Sequence, residues 1–160
     1  MPNTTKLLDH DFKLPRCVLV DIDGTLALNT SNRSFYDFTK VGKDTPDPFV
    51  SCVVDALYNY GLEQSGDRYP YIILMSGREE SCREQTEEWL DKHFIPYDKL
   101  LMRAEGDRRP DFLVKRELFE NNIRDKYAVL GVVDDRPSVC RQWRELGLRV
   151  AQVGNPYLEF

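Results

Sequence analysis

Cys17-Val18-Leu19-Val20-Asp21-Ile22-Asp23-Gly24-Thr25-Leu26 is an apolar, β-branched run that ends in two carboxylates two residues apart and passes at once into Gly-Thr. Side chains alternate across a strand, so Asp21 and Asp23 are expected on one side while Ile22 turns back into a core. Gly24 lets the chain leave the strand in a conformation other residues resist, and Thr25 can hydrogen-bond the adjoining turn. Two acids on a rigid element then face one reaction volume, which reads as a catalytic site at a strand's end. A solvated Asp-rich turn that only caps a strand has the same composition, and this stretch alone leaves both readings open.

At 160 residues the chain suits one domain, and a domain near this length buries roughly 68–70% of the surface of its unfolded chain. Hydrophobic residues at 41% and charged residues at 31% place it with globular proteins, not with disordered or membrane ones. No apolar stretch is long enough to span a bilayer, and Met1 to Lys13 lack the charged-then-apolar pattern of a secretory signal. An intracellular, cytoplasmic protein without membrane contact is expected. Cys17, Cys52, Cys82 and Cys140 are isolated and fall in apolar-periodic segments, so they read as buried free thiols. His10 and His93 complete no ligand pattern, so no zinc site is expected. A net charge of −5 argues against a protein that wraps long nucleic acid but leaves room for a small basic site.

Outward from the opening strand, residues 1–15 read as a tail or arm and 16–160 as the folded domain. Residues 24–45 form a polar loop with an aromatic patch at Phe35, Tyr36 and Phe38, suited to anchoring a hairpin or flap. Thr45-Pro46-Asp47-Pro48 predicts a helix start, with Val50, Val53, Val54, Leu57 and Tyr58 at helical spacing, giving a helix from about Pro46 to Tyr60. Tyr69 to Met75 is an apolar strand ending in Ser76-Gly77-Arg78. An amphipathic helix comes next over Glu79–His93, then a short strand over Lys99–Arg103 and a helix from Pro110 to about Asn122. Tyr127 to Val133 is a third long strand and ends in Asp134-Asp135; Pro137 opens the last helix, and Arg149–Val153 is a final strand. Alternating β and α units predict an α/β, Rossmann-like fold: a central parallel sheet with helices on both faces.

In such sheets ligands bind beyond the carboxyl ends of the strands, where Asp21/Asp23, Ser76-Gly77-Arg78 and Asp134-Asp135 would converge. Four carboxylates in one pocket need a cation, and hard oxygen donors with few histidines select Mg²⁺. A divalent ion also removes the repulsion between an anionic nucleophile and a phosphate, so phosphoryl transfer is the natural chemistry. An ionised carboxylate such as Asp21 can attack phosphorus without an activating base, and Asp23 is placed to exchange protons with the leaving oxygen and with water. Ser76 and the Gly77 amide can bind phosphate oxygens, and Lys115, one turn after Asp111, can bring a positive charge to the same anion.

Asp21-Ile22-Asp23-Gly24-Thr25, Ser76, Lys115 and Asp134-Asp135 resemble, in content and order, the motifs of the haloacid dehalogenase (HAD) superfamily of phosphatases. The resemblance implies a HAD fold, an aspartyl-phosphate on Asp21, general acid/base action by Asp23 and phosphate binding by Ser76 and Lys115. It also implies Mg²⁺ held by Asp21, the Asp23 carbonyl and Asp135, with Asp134 acting through water. Ser76-Gly77-Arg78-Glu79 and the run Arg103 to Lys115 further resemble the 3′-phosphatase half of phage-type polynucleotide kinase/phosphatase, over roughly Cys17 to Tyr157. That group uses an arginine after the first motif, the arginine of S-G-R and an aspartate four before the lysine; Arg33, Arg78 and Asp111 hold those positions. A salt-bridge or helix-cap role is the alternative for Arg33.

The kinase half's G-x-x-x-x-G-K-[ST] loop occurs nowhere in this sequence, so kinase activity is not expected. Short spacings leave room for a flap near Asn29 to Lys43 and not for a cap domain, which predicts an open site suited to a polymer's end. The expected substrate is the 3′-phosphorylated end of RNA or DNA, with Arg33, Arg78, Arg108, Arg109 and Lys115 supplying local positive charge. A separate kinase or ligase acting in the same end repair is the implied partner. The competing readings are a HAD phosphatase of small nucleotides or metabolites, and a non-catalytic module that binds nucleic-acid ends. Asp23 disfavours a dehalogenase, and the strand before Asp21 disfavours a calcium loop.

Overall fold

The computed structural model describes residues 14–34, 37–63 and 70–158. The opening run forms β1, Arg16–Val20, at the centre of a five-stranded parallel sheet. On one side lie β4, Tyr71–Glu79, and β5, Lys99–Arg103; on the other lie β6, Ala128–Asp134, and β7, Val150–Gln152. The order is β5-β4-β1-β6-β7, so the chain builds outward from β1 on one side and then crosses back to build on the other. That reversal opens a crevice beside the carboxyl end of β1.

Period-two alternation sorts the strand residues into two cores. Val18, Val20, Ile72, Leu74, Leu100 and Met102 face α1 (Pro48–Glu63) and α2 (Arg83–Lys92), whose Val50, Val54, Trp89 and Leu90 close that layer. Cys17, Leu19, Ile73, Met75 and Leu101 face α3 (Asp111–Asn122) and α4 (Pro137–Glu145), which contribute Phe119, Val139 and Trp143. Burying a large apolar side chain of this kind stabilises by about 1.5–3 kcal/mol, so a strand clothed on both faces is a rigid platform for the residues beyond its end.

The helix expected from Pro46 starts instead at Pro48. Thr45–Pro46 forms β3, paired antiparallel with β2, Ala27–Leu28, and this two-stranded base carries the flap. Asp47 provides the helix start signal, because its Oδ1 accepts from the Val50 amide at 2.9 Å and Pro48 occupies the first turn, where a missing N–H is harmless. The helix continues past Tyr60 to Glu63, so Gly61 does not stop it. The second apolar strand is longer than expected: β4 runs through Ser76-Gly77-Arg78 to Glu79, and its register with β5 slips between Ser76 and Glu79. A 3-10 turn over Glu80–Cys82 separates it from α2. Cys17, Cys82 and Cys140 are buried thiols, but Cys52 is exposed, because it lies on the outer face of α1. β1 begins at Arg16, and just before it the Pro15 carbonyl accepts from the Ala128 amide at 3.0 Å. The expected tail lies, up to residue 13, outside the described residues, as do Phe35 and Tyr36 of the aromatic patch. No helix among the described residues is long and apolar enough to cross a membrane.

Candidate active site

Beyond β1 the Asp21 amide bonds to the Val133 carbonyl at 2.9 Å, carrying the pairing with β6 one residue past the strand. The chain then folds back on itself, with the Ile22 carbonyl accepting from the Thr25 amide (3.2 Å) and the Ala27 amide (2.7 Å). Gly24 makes this turn with φ +87°, and a Cβ built there would stand 2.1 Å from Asp135 Oδ2. Both the backbone conformation and the space therefore require glycine.

The turn separates two acids that alternation alone would place together. Asp21, 4% exposed, faces α3 and β6. Its Oδ1 accepts from Lys115 Nζ at 2.6 Å, while Oδ2 is buried with no hydrogen-bond partner among the described residues. The same ammonium donates to Asp134 Oδ2 at 3.0 Å and lies 3.5 Å from Asp111 Oδ2. Asp134 is further fixed by Trp143 Nε1 at 3.2 Å, and Asp135 accepts from Thr25 Oγ1 at 3.4 Å. Carboxylate oxygens of Asp21, Asp134 and Asp135 all lie within 4.8 Å of one another.

Three such carboxylates against one ammonium leave two net negative charges in a buried space. Burial, reinforced by Asp134 and Asp135 and opposed by Lys115, raises the Asp21 carboxyl well above 3.8. Burial and Asp134 likewise push Asp135 up to about 6. Burial works against the charged form of Lys115, but Asp134, Asp21 and Asp111 outweigh it and hold the ammonium protonated. An unclaimed buried oxygen, an all-oxygen donor set and a two-unit charge deficit fit Mg²⁺ better than zinc.

Asp23 belongs to a second cluster. Arg78 grips it with Nε on Oδ2 (2.8 Å) and Nη2 on Oδ1 (2.8 Å), and Arg33 Nη2 adds a bond to Oδ1 at 2.7 Å. Both guanidiniums also bind Asp44: Arg33 through Nε and Nη2 (2.7 Å to Oδ2), Arg78 through Nη2 at 2.9 Å. Asp44 and Arg78 side chains are fully buried, whereas Asp23 is 24% exposed, so the network has a closed end and an end that opens on the crevice. A cavity of about 220 Å³ beside this end is bounded by Asp23, Arg33, Asp135, Leu28 and Asn155. The carboxylate of Asp23 is outside the three-acid group, so any contribution it makes to a metal would come from its backbone.

Ser76 is buried at the slip in β4, its Oγ accepting from the Arg78 amide at 3.1 Å. The neighbouring Gly77 packs so closely on Asp111 that a Cβ would stand 2.2 Å from Oδ1. Arg103, at the end of β5, ties this corner together by donating to the Gly77 carbonyl (2.7 Å) and to Asp111 Oδ1 (3.1 Å). Burial would raise the Asp111 carboxyl, but Lys115, Arg136 and Arg103 together hold it below 3.8.

All seven candidate catalytic residues thus gather at the carboxyl edge of the sheet in two adjoining clusters. Arg109 does not join them, since it pairs with Asp107 and Glu117 on the surface. Three contributors went unseen in the sequence. Arg103 ends an apolar strand as the predicted site residues do, and that rule could have found it. Trp143 read only as core, and nothing local distinguishes Asp44 from other acids in a polar loop.

Residues 15–157 match the family described as the polynucleotide kinase PNKP phosphatase domain. The chain is 44% identical over 151 residues to a protein of Autographa californica nuclear polyhedrosis virus whose name couples polynucleotide kinase with RNA ligase; the match covers 92% of this chain and 21% of that protein. Among solved structures, it is similar to a chain of the Pnkp1/Rnl/Hen1 RNA repair complex, with TM-score 0.83 and 39% identity over 94% of this chain and 46% of that one. A phosphatase structure from Clostridium difficile has TM-score 0.61 at 14% identity, covering 92% and 89% of the two chains, a likeness of fold. The chain spans about a fifth of the viral relative and under half of the repair-complex chain.

Proposed function

Because the chain belongs to the family of the polynucleotide kinase PNKP phosphatase domain, we propose that it is a phosphoric monoester hydrolase that removes the 3′-phosphate from nucleic-acid ends through an aspartyl-phosphate on Asp21. The observation that carries this reading is the state of Asp21: one oxygen fixed by Lys115 and the other buried and unclaimed at the end of a rigid strand. Burial opposes the ionised form, but the Lys115 ammonium on the other oxygen favours it, and a carboxylate so held attacks without a separate general base.

In this scheme Asp21 Oδ2 attacks phosphorus and the bond to the 3′-oxygen breaks. Asp23, at the exposed end of its network, hands a proton to that oxygen, which leaves as a hydroxyl. Asp23 then takes a proton from the water that cleaves the acyl-phosphate, releasing inorganic phosphate and restoring Asp21. Lys115 and the Ser76–Gly77 corner face the phosphate oxygens, and Arg33 and Arg78 keep Asp23 aimed at the crevice. Asp111 and Arg103 hold Lys115 and Gly77 in place. Mg²⁺, held by Asp21, Asp134 and Asp135 together with the Asp23 carbonyl, would supply charge neutralisation for an anion meeting an anion. A kinase or ligase acting on the same ends beside this domain completes the proposal, since the relatives' names join those activities.

The test is hydrolysis of a 3′-phosphorylated oligonucleotide, a nucleoside 3′-phosphate and generic phosphate esters by the parent and by Asp21→Asn. Preferred, Asp21-dependent release of phosphate from the oligonucleotide is expected. Hydrolysis of the small esters with no action on the oligonucleotide would overturn the reading.

A further inference from the structure

A second and larger cavity, about 460 Å³, adjoins the site on the β4–β5 side and is lined by Phe38, Glu79, Arg103, Asp107 and Arg108. Its volume falls in the range that holds organic ligands. Its wall is bonded to the catalytic corner, because Glu79 ends β4 three residues beyond Ser76 and Arg103 donates to the Gly77 carbonyl. The cavity therefore lies beside the corner formed by Ser76 and Gly77.

The lining is chemically mixed. Phe38 opens the 3-10 turn of the flap; it is half-buried and braced against the α1/α2 core, which leaves it a supported aromatic surface. The guanidinium of Arg103 is committed to three carbonyls and Asp111, and Asp107 is paired with Arg109. Glu79 Oε2 accepts from the Gly106 amide at 3.3 Å. Arg108 is exposed and has no carboxylate partner among the described residues. Two acids on the lining disfavour a phosphate in the body of the cavity, while an aromatic plane suits a neutral base. An unpaired cation at the rim suits one phosphodiester.

We propose that this cavity holds the 3′-terminal nucleotide of the substrate, its base stacked on Phe38 and the phosphodiester on its 5′ side neutralised by Arg108. The assignment rests on the polynucleotide-end reading above and adds which surface the strand occupies. Phe38 and Arg108 are then substrate-binding residues outside the reacting centre, and selectivity for a nucleotide over a simple ester comes from the flap.

The experiment measures kcat/KM for a 3′-phosphorylated oligonucleotide, a nucleoside 3′-phosphate and glycerol phosphate, for the parent, Phe38→Leu, Phe38→Trp and Arg108→Ala. Leucine keeps an apolar contact with the core and removes the ring. Relative to glycerol phosphate, Phe38→Leu is expected to lose about 5- to 150-fold on both nucleotide substrates, the span of one base–aromatic stack, and tryptophan to restore it. Arg108→Ala is expected to make the slope of log(kcat/KM) against log salt shallower by about 0.7 on the oligonucleotide, the signature of one single-strand phosphate contact. Equal losses on all three substrates, or none, together with an unchanged salt slope, would overturn the assignment while the oligonucleotide preference of the parent stood. A parent that cleaves glycerol phosphate as well as the oligonucleotide would instead sink the underlying reading.

Discussion

Replacing Asp44 with asparagine keeps the side chain's shape and deletes its charge. In the parent, two buried guanidiniums, Arg33 and Arg78, face two carboxylates, Asp23 and Asp44. After the change two cations share Asp23 alone, the member that reaches the crevice. Removing one partner from a buried ion pair costs about 3–5 kcal/mol, because the remaining charge is left without compensation. Asparagine retains an acceptor oxygen and Asp23 remains within reach of both arginines, so the lower end, about 3 kcal/mol, is expected for Asp44→Asn. Urea unfolding followed by tryptophan fluorescence measures it, and Trp89 is a local probe because its Nε1 donates to the Asp44 carbonyl at 2.8 Å. The midpoint is expected to fall with an unchanged slope. Arg33→Gln should then cost less in the Asp44→Asn background than in the parent, with a coupling of about 0.5–3 kcal/mol. A loss below about 1 kcal/mol, the worth of a solvated pair, would refute the reasoning, and so would strict additivity.

Mg²⁺ binding followed by calorimetry should weaken at least ~10-fold in Asp135→Asn and persist in Asp23→Asn, since the Asp23 carboxylate points to the arginines; equal loss in both would place that carboxylate on the ion. Chelating divalent ions should abolish phosphate release. Gly77→Ala is expected to lower stability by about 1–3 kcal/mol and kcat with it, because the added methyl meets Asp111 Oδ1; a silent substitution would show that Asp111 has room to yield. The Asp111 carboxyl is held below its ordinary 3.8, so its contribution to stability is present above that value and is lost as pH falls through the lower folded value. In Asp111→Asn the unfolding free energy should therefore fall less steeply with acid below about pH 4, and parallel profiles would contradict this.

The architecture was legible because its signals are local. The runs in β1, β4 and β6 are apolar on both faces, and Lys99–Arg103 matches its predicted bounds. The Asp21–Thr25 motif, the Ser76-Gly77-Arg78 segment and the Asp134-Asp135 pair all lie at or near strand ends, where topology brings them together without further information. What was missed depends on contacts made across the chain. Thr45-Pro46 has the composition of a helix start, yet pairing with Ala27–Leu28 claims it for a strand and moves the start to Asp47. Asp44 joins the site's ion-pair network only because Arg78, 34 residues on, folds back against it. Alternation put Asp21 and Asp23 on one face, but the turn at Ile22 ends the strand between them, so one acid joins the three-carboxylate group and the other the arginines.

The position of β1 has a consequence for how the protein is made. Its residues pair with β4 at Val18↔Ile72 on one edge and with β6 at Leu19↔Val132 on the other. During synthesis the strand that leads into Asp21 would therefore wait with one edge bare until β6 has emerged. Parallel contacts this distant form late, because the loop entropy must be lost before they stabilise anything. The last strand to reach β1 is also the one that delivers Asp134 and Asp135, so closing the sheet and completing the three-carboxylate group around Asp21 are a single event. On the function proposed above, a nascent or prematurely ended chain would carry Asp21 without its two acidic neighbours and so without the metal group they complete.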